Sequence, residues 1–437
     1  MSDDLALLSP AEPDRPIAFR HGAPIALEQF LRDVGSLAPQ LPRRGAMINL
    51  CEDRYHFLVA YAAALSVGQT ALLPPASAAQ LIDEIQRAHA DSYRCDDVRV
   101  EAALAVPPAD VTSRVPADQI ALLGVTSAST GPVKTYPKTW RTLSAGSARA
   151  QAAIRGALGT TAFTTPWILA TVPPQHTYGM EFSVLLPLIG GMAVHSARPL
   201  FPADIAAALD ELPQPRILVS TPLHLRAMIE SQQRFPPVSL IVSATAPLDR
   251  ELAIAAEQRF DARLLEMFGS TETCAFASRR TANEAAWDLF EGVELQPRAE
   301  DTVVDTPWFA APVLLQDIVE LQGERRFVVR GRSSDMLEVA GKRASLADLT
   351  RRLMAIDGVR DAVVFQPDPE AVATIRRVAA LVVAPGLDAR EIRQQLARTV
   401  DPAFLPRPLI LVDALPRNEL GKLPRERLLA LVRRSRE

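Results

Sequence analysis

Lysine is almost missing from this chain. Of its 47 basic residues, only Lys134, Lys138, Lys342 and Lys422 are lysine. Arginine serves wherever any cation will do, so a retained lysine marks a place for a compact ammonium on a flexible stem, which a planar guanidinium does not mimic. Codon usage accounts for any one of them taken singly, but three of the four flank glycine-containing or hydroxyl-rich loops. Cysteine is scarce too. Cys51, Cys95 and Cys274 share no short metal-ligand spacing and cannot all pair, which argues against a disulfide framework and suits a reducing cytoplasm. Charge of one sign is not in large excess: a net charge of −4 gives no general attraction for nucleic acid or an anionic membrane. The late arginines Arg425, Arg427, Arg433, Arg434 and Arg436 read as a solvated helix end. A long unbroken apolar run is also lacking. The stretch 57–82 carries no charge, but Gln69, Thr70, Pro74, Pro75 and Gln80 interrupt it, and it reads as a buried helix, a short strand and a second helix start, with no membrane insertion. The opening MSDDLALLSPAEPD is acidic, without the basic start and apolar core of a signal peptide, so a cytoplasmic location is expected. There are no repeats, and the 36 prolines are spread through loops.

What is present is the balance of a globular enzyme, 48% hydrophobic and 22% charged. A chain of 437 residues exceeds one ordinary core and predicts two or three packing units. Its first two-thirds alternate between two periods. Leu27, Phe30, Leu31 and Val34 fall at helical spacing. Short apolar runs at 46–50, 120–125, 168–172, 217–219 and 240–242 read as strands, with helices at 204–212 and 248–260 among them. That rhythm predicts an α/β fold, with mainly parallel sheets covered by helices on both faces. The last hundred residues predict a compact α+β unit: helix 346–353, strands 362–365 and 378–383, helix 390–398, strand 408–412 and a terminal helix. The expected division is a large N-terminal domain, 1–331, and a small C-terminal domain, 332–437. Ligands of such sheets bind where loops leave the carboxyl ends of strands.

The first such loop is Thr126-Ser127-Ala128-Ser129-Thr130-Gly131-Pro132-Val133-Lys134, directly after the apolar run 120–125. Hydroxyls, backbone N–H groups, a glycine that permits a tight turn and a lysine can together wrap a polyphosphate. The spacing G-x-x-x-x-G-K-[ST] of a P-loop nucleotidase is absent, and a polar surface turn is the bland alternative. The segment resembles the TSGSTGxPK phosphate loop of the adenylate-forming superfamily, which includes acyl- and aryl-CoA synthetases, peptide-synthetase adenylation domains and firefly luciferase. Ala128 and Val133 depart from that pattern.

Further segments resemble the same family in the same order. Pro173-Pro174-Gln175-His176-Thr177-Tyr178-Gly179-Met180 is similar to the stretch whose histidine lies beside the substrate carboxylate, with Tyr178 and Gly179 at the acyl pocket. An imidazole orients a carboxylate and an aromatic ring walls an aryl or apolar acid; His21, His56, His89, His195 and His224 read as satisfied structural histidines. Ser243-Ala244-Thr245-Ala246-Pro247-Leu248 resembles the GGAPL turn along adenine. Glu266-Met267-Phe268-Gly269-Ser270-Thr271-Glu272-Thr273 resembles the YGSTE signature, which implies Phe268 stacked on adenine, Thr271 on phosphate, Gly269 near the acid and Glu272 on Mg²⁺. Mg²⁺ takes few protein carboxylates and mostly phosphate and water oxygens; a carboxylate at a helix N-terminus is the bland reading of Glu272. Asp317 resembles the ribose-binding aspartate, with Gln316 where the family has glycine. Gly331-Arg332-Ser333-Ser334-Asp335 resembles the segment whose arginine also reaches ribose and whose hinge falls at Ser334. Glu338 stands where many members have lysine, and Gly341-Lys342 continues toward the thiol channel. Leu415-Pro416-Arg417-Asn418-Glu419-Leu420-Gly421-Lys422 is close to the LPRTxxGK pattern, whose lysine bridges carboxylate and α-phosphate. Such a lysine offsets the repulsion of two reacting anions.

The resemblance runs from about 121 to 425. It implies an ATP·Mg²⁺-dependent ligase that makes an acyl-AMP and passes the acyl group to the pantetheine thiol of coenzyme A or an acyl carrier protein, with a mobile C-terminal lid. Only 45 positions separate Glu272 from Asp317, so the region that builds a β-rich subdomain in relatives reads as trimmed. Compact members of this kind resemble the ligases of aryl-polyene and xanthomonadin-type pigment pathways, which implies a hydroxybenzoate-like acid such as 4-hydroxybenzoate. A fatty acid stays open as substrate. The substitutions at Ala128, Gln316 and Ser334 also leave open a nucleotide-binding scaffold without turnover.

Overall fold

A computed structural model describes residues 3–74, 78–126, 134–159, 164–332, 336–339, 342–367, 378–418, 421 and 423–434. The side chains of Thr126, Lys134, 336–339, Lys342 and Arg343 are not described. The chain divides into two compact units, Met1–Glu294 with Val304–Val313, and Leu295–Val303 with Leu314–Glu437.

The first unit holds two large sheets beside the short antiparallel pair Asp4–Ala6 with Arg114–Pro116. One runs in the order Ser92–Cys95, Ala46–Asn49, Thr70–Leu73, Ile120–Thr126 and Lys134–Thr139; the first four strands are parallel and the last is antiparallel. The other runs Trp287–Leu289, Cys274–Arg279, Arg263–Ser270, Leu240–Ser243, Arg216–Ser220, Trp167–Ala170, Ala193–His195, Pro16–Arg20 and Ala23–Ala26. From Arg263–Ser270 to Pro16–Arg20 its strands are parallel. Their apolar runs are buried on both faces, as a parallel sheet between helices requires. Leu209, Leu225, Met228, Ala253 and Phe260 pack from the helices against Leu218, Ile241 and Leu264.

The uncharged stretch near residue 60 resolves as expected into helix Arg54–Ser66, strand Thr70–Leu73 and helix Ala79–Ala88. The first of these is buried all round, so each of its large apolar side chains contributes roughly 1.5–3 kcal/mol by leaving water. Its start is fixed by Asp53, whose carboxylate accepts from the N–H groups of Tyr55 at 2.8 Å and His56 at 3.1 Å. Among the described residues no helix is long and apolar enough to cross a membrane. The three cysteines are buried thiols.

The second unit carries the predicted α+β element order. Strands Asp361–Phe365, Ala379–Val383 and Leu409–Leu411 form a sheet. Helices Leu346–Met354 and Ala389–Leu396 cover one face through Leu349, Leu353, Ile392 and Leu396, and helix Arg425–Arg434 packs Leu428 and Val432 toward the other. Strands Asp317–Leu321 and Arg326–Arg332 make an antiparallel pair in the same unit.

Candidate active site

The loops singled out in the first unit leave the carboxyl ends of its parallel strands. Strands Ile120–Thr126 and Lys134–Thr139 form a hairpin closed by the Thr126–Lys134 pair. Its connection, with Ser127, Ser129, Thr130 and Gly131, lies outside the described residues. The hairpin nevertheless meets the second signature directly. A Cβ added at Gly124 would stand 2.8 Å from the Thr271 Cγ2 methyl, so the Thr271 side chain would have to shift to admit one. From the antiparallel strand, the buried Lys138 Nζ donates to the backbone carbonyl of Glu272.

Thr271, Glu272 and Thr273 are the turn of a hairpin between Arg263–Ser270 and Cys274–Arg279, so Glu272 stands in a hairpin turn, not at a helix start. The turn is closed by its own hydroxyls. Ser270 N donates to Thr273 Oγ1 at 3.0 Å, and Ser270 Oγ accepts from the N–H groups of Glu272 at 3.2 Å and Thr273 at 3.3 Å. The register slips between Phe268 and Gly269, and a Cβ on Gly269 would run into the Cys274 carbonyl. Cys274 itself takes a left-handed φ of 59°, the residue that closes a bulged hairpin of this length. Thr271 and Glu272 stay half-buried while Thr273 is buried.

Behind the turn lies Glu181, at the start of a single π-helical stretch, Glu181–Leu185. Its Oε2 accepts from Ala275 N at 2.8 Å. Burial pushes its carboxyl up to about 7, against the lowering effect of that N–H and of Lys138. The Cys274 thiol is pushed up to about 12 by burial and by Glu181, with Lys138 acting the other way.

His176 caps the helix Thr177–Met180, with Nδ1 accepting from Tyr178 N at 3.4 Å. A neutral imidazole that accepts at Nδ1 carries its proton on Nε2. Tyr178 is buried, and its hydroxyl is shared between the carbonyls of Ser220 at 3.1 Å and Val242 at 2.8 Å, at the ends of neighbouring strands. Gly179 packs so closely on Pro173 that a Cβ would overlap its carbonyl. The loop is held from beneath by Arg54, which donates to the Ala170 carbonyl at 3.0 Å, the Val172 carbonyl at 2.9 Å and Ser183 Oγ. Gln175 donates to the Cys51 carbonyl at 2.7 Å. Of the remaining histidines, His56 meets Asp97 at 2.9 Å and His224 meets Thr171 Oγ1 at 2.8 Å, both structural contacts.

In the adjacent turn, Thr245 has φ 82°, a conformation that β-branched residues rarely adopt, followed by half-buried Ala246 and exposed Pro247. Glu266 is committed inside the fold: it pairs with Arg279 at 2.8 Å and accepts from the Thr281 hydroxyl and the Leu248 N–H, and burial holds its carboxyl above the usual range. Met267 is buried. Phe268 is half-buried, its ring edge-on to Phe276 at 5.4 Å and tilted against Trp287 at 4.9 Å.

In the second unit, Asp317 and Arg332 face each other across an antiparallel pair, and Arg332 Nε donates to Asp317 Oδ1 at 3.1 Å. Thr302 Oγ1 donates to the Asp317 carbonyl at 2.8 Å. Ser334, Gly341 and Lys422 lie outside the described residues. The approach to Lys422 is described: Arg417 forks onto Asp361 at 2.9 and 2.7 Å and donates to the Gly421 carbonyl at 2.7 Å.

Two residues that the motif pattern does not assign are thus part of the site. Lys138 carries a sequence signal, being one of four lysines. Glu181 carries none, because a carboxylate five residues past His176 reads as an ordinary exposed helix residue until its partners are known.

Comparison with known proteins gives matches over both units. The family described as AMP-binding enzyme matches residues 39–326, and the AMP-binding enzyme C-terminal domain matches 351–422. A 4-coumarate–CoA ligase of Rhodobacter capsulatus is 34% identical over 239 residues, covering 54% of this chain and 57% of that protein. The aligned stretch thus spans little more than half the length of that curated relative. ATP-bound MatB from Rhodopseudomonas palustris superposes with a TM-score of 0.80 at 18% identity, covering 98% of each chain. The o-succinylbenzoate coenzyme A synthetase MenE of Bacillus subtilis, solved with ATP and a magnesium ion, gives 0.78 at 17% identity, covering 95% of this chain and 97% of that one.

Proposed function

The chain belongs to the AMP-binding enzyme family, and from that premise we propose that it is an ATP-dependent ligase that converts a small aryl acid to an acyl-adenylate and then to a thioester. The observation that carries this reading is the meeting of the two signatures: the hairpin ending in the hydroxyl-rich loop touches Thr271 through Gly124 and Glu272 through Lys138. Segments far apart in sequence, Gly124 and Lys138 on one hairpin and Thr271 and Glu272 on the other, thus meet in the first unit.

In this reading the 126–134 loop and Thr271 hold the triphosphate. Asp317 and Arg332 hydrogen-bond the ribose, and Phe268 and the turn of Thr245, Ala246 and Pro247 flank adenine. Glu266 and Met267 shape this side from within. A single fixed carboxylate suits Mg²⁺, whose other ligands are phosphate and water oxygens; among the described residues no three metal-ligating side chains gather. Glu272 would hold the ion, which when bound neutralises charge on the phosphates. The acid lies beside His176, with Tyr178, Gly179 and Gly269 around it. A proton on Nε2 makes His176 a donor to a carboxylate oxygen, and Lys422 offsets the repulsion as that carboxylate attacks the α-phosphorus and pyrophosphate leaves. A thiol then attacks the carbonyl carbon and AMP departs. Residues 332–437 act as a lid that pivots near Ser334, exchanging Lys422 for the Gly341 loop, against an adenylation domain of 1–331.

The name of the Rhodobacter relative, a ligase of an aryl-acrylic acid, supports an aryl substrate. We place 4-hydroxybenzoate first, with coenzyme A or the pantetheine arm of an acyl carrier protein as acceptor. Acid-dependent pyrophosphate release across hydroxybenzoates, cinnamates and fatty acids tests this. Fastest release with a hydroxybenzoate is expected; a long-chain fatty acid outrunning every aryl acid overturns the substrate, and silence across the panel overturns the ligase.

A further inference from the structure

We propose that Lys138 and Glu181 are positioning residues that hold the Thr271–Thr273 turn at its middle and just beyond its exit, and so set where Glu272 presents its carboxylate to Mg²⁺·ATP. The proposal deepens the reading above and rests on it for the identity of the ligand.

Both groups are buried, and each holds backbone rather than substrate. Lys138 donates to the Glu272 carbonyl, and Glu181 accepts from Ala275 N at 2.8 Å, so the turn is held at its middle and just beyond its exit. The backbone they hold is irregular: the register slips between Phe268 and Gly269, and Cys274 sits in a left-handed conformation. A turn of this kind keeps one geometry only when its surroundings over-determine it. The two side chains also feel each other, since Lys138 favours the ionised form of Glu181. The Phe309 ring lies 5.8 Å from Lys138 Nζ and covers the ammonium. A single backbone carbonyl takes one N–H, and the ammonium supplies it from a narrow stem with no planar fork to accommodate. That explains why this position, like those beside the loops, keeps lysine in a chain that otherwise uses arginine.

The test is equilibrium binding of ATP by calorimetry, with and without Mg²⁺, on the full chain. Lys138→Met keeps the apolar stem and loses the donor. It should weaken Mg²⁺·ATP binding about tenfold, the scale of one charge-assisted hydrogen bond, while metal-free ATP binding changes less than about twofold. Glu181→Ala, which releases Ala275 N–H, should give the same selective loss and carries the test if Lys138→Met does not fold. Lys138→Arg should restore little of the Mg²⁺ dependence. Equal loss with and without the metal, or no loss in either variant, overturns the clamp. So does a wild-type protein whose ATP affinity ignores Mg²⁺. Wild type that binds Mg²⁺·ATP but releases no pyrophosphate with any acid overturns the ligase reading and leaves the clamp to be judged on the binding ratios alone.

Discussion

Glu181 is a carboxyl that folding makes harder to ionise. Its pKa rises to about 7 because burial outweighs the Ala275 N–H and Lys138; Cys274 and Tyr178 also face it. In an unfolded chain a glutamate titrates near ~4.3. Between these values the native state keeps a proton that the unfolded state has released. Its contribution to stability is therefore complete below the lower value and is lost as pH rises toward the upper one. Glu181→Gln keeps an acceptor for Ala275 N–H and removes the titration. Its thermal midpoint relative to wild type should climb from pH 5 to pH 8, with a gain at the alkaline end on the order of ~2 kcal/mol. Parallel curves for the two proteins would show that Glu181 ionises as freely as in water. At this scale the sequence was partly legible: scarcity drew attention to Lys138, but only the fold supplies the Glu272 carbonyl it reaches. The same motif contains Glu266, whose carboxylate is taken up by Arg279 and Thr281, partners that no local pattern reveals.

Elements were read more readily than residues, because their signals are local. Helical spacing at 27–34 became helix Leu27–Leu37, and the apolar runs at 120–125 and 240–242 became strands Ile120–Thr126 and Leu240–Ser243. Fully buried parallel strands announce themselves as unbroken apolar runs. What escaped was antiparallel pairing at the site. Strand Lys134–Thr139 carries two lysines and a proline, and strand Cys274–Arg279 follows a turn with no Asn-Gly or Asp-Gly signal. Both hairpins nevertheless carry the signature loops. The second depends on Gly269, where an added methyl would strike the Cys274 carbonyl of the returning strand. Gly269→Ala should thus cost about 2 kcal/mol or more and reduce pyrophosphate release far more than the stability loss alone accounts for. A variant with wild-type melting and full turnover would mean that the hairpin opens to admit the methyl at no cost.

At the scale of the whole molecule, the proposed chemistry is divided between two separately compact units, and Lys422, the lysine proposed to distinguish the two half-reactions, belongs to the second. The segment before it is anchored within that unit by the Arg417 fork onto Asp361 and by its bond to the Gly421 carbonyl. An anchor of this kind spares a reactive side chain part of the entropy of finding its pose. Two substitutions then separate charge from placement. Lys422→Ala should reduce ATP–pyrophosphate exchange by about 100-fold or more, the scale of losing one charge-stabilising donor, while thioester formation from supplied acyl-AMP stays near wild type. Arg417→Ala leaves the ammonium in place and loosens the loop, so exchange should fall about tenfold with the same sparing of the second step. Exchange that survives Lys422→Ala would remove that lysine from the chemistry. If Arg417→Ala depressed both half-reactions equally, the fork would be holding up the unit as a whole, and the loop would owe its position to something else.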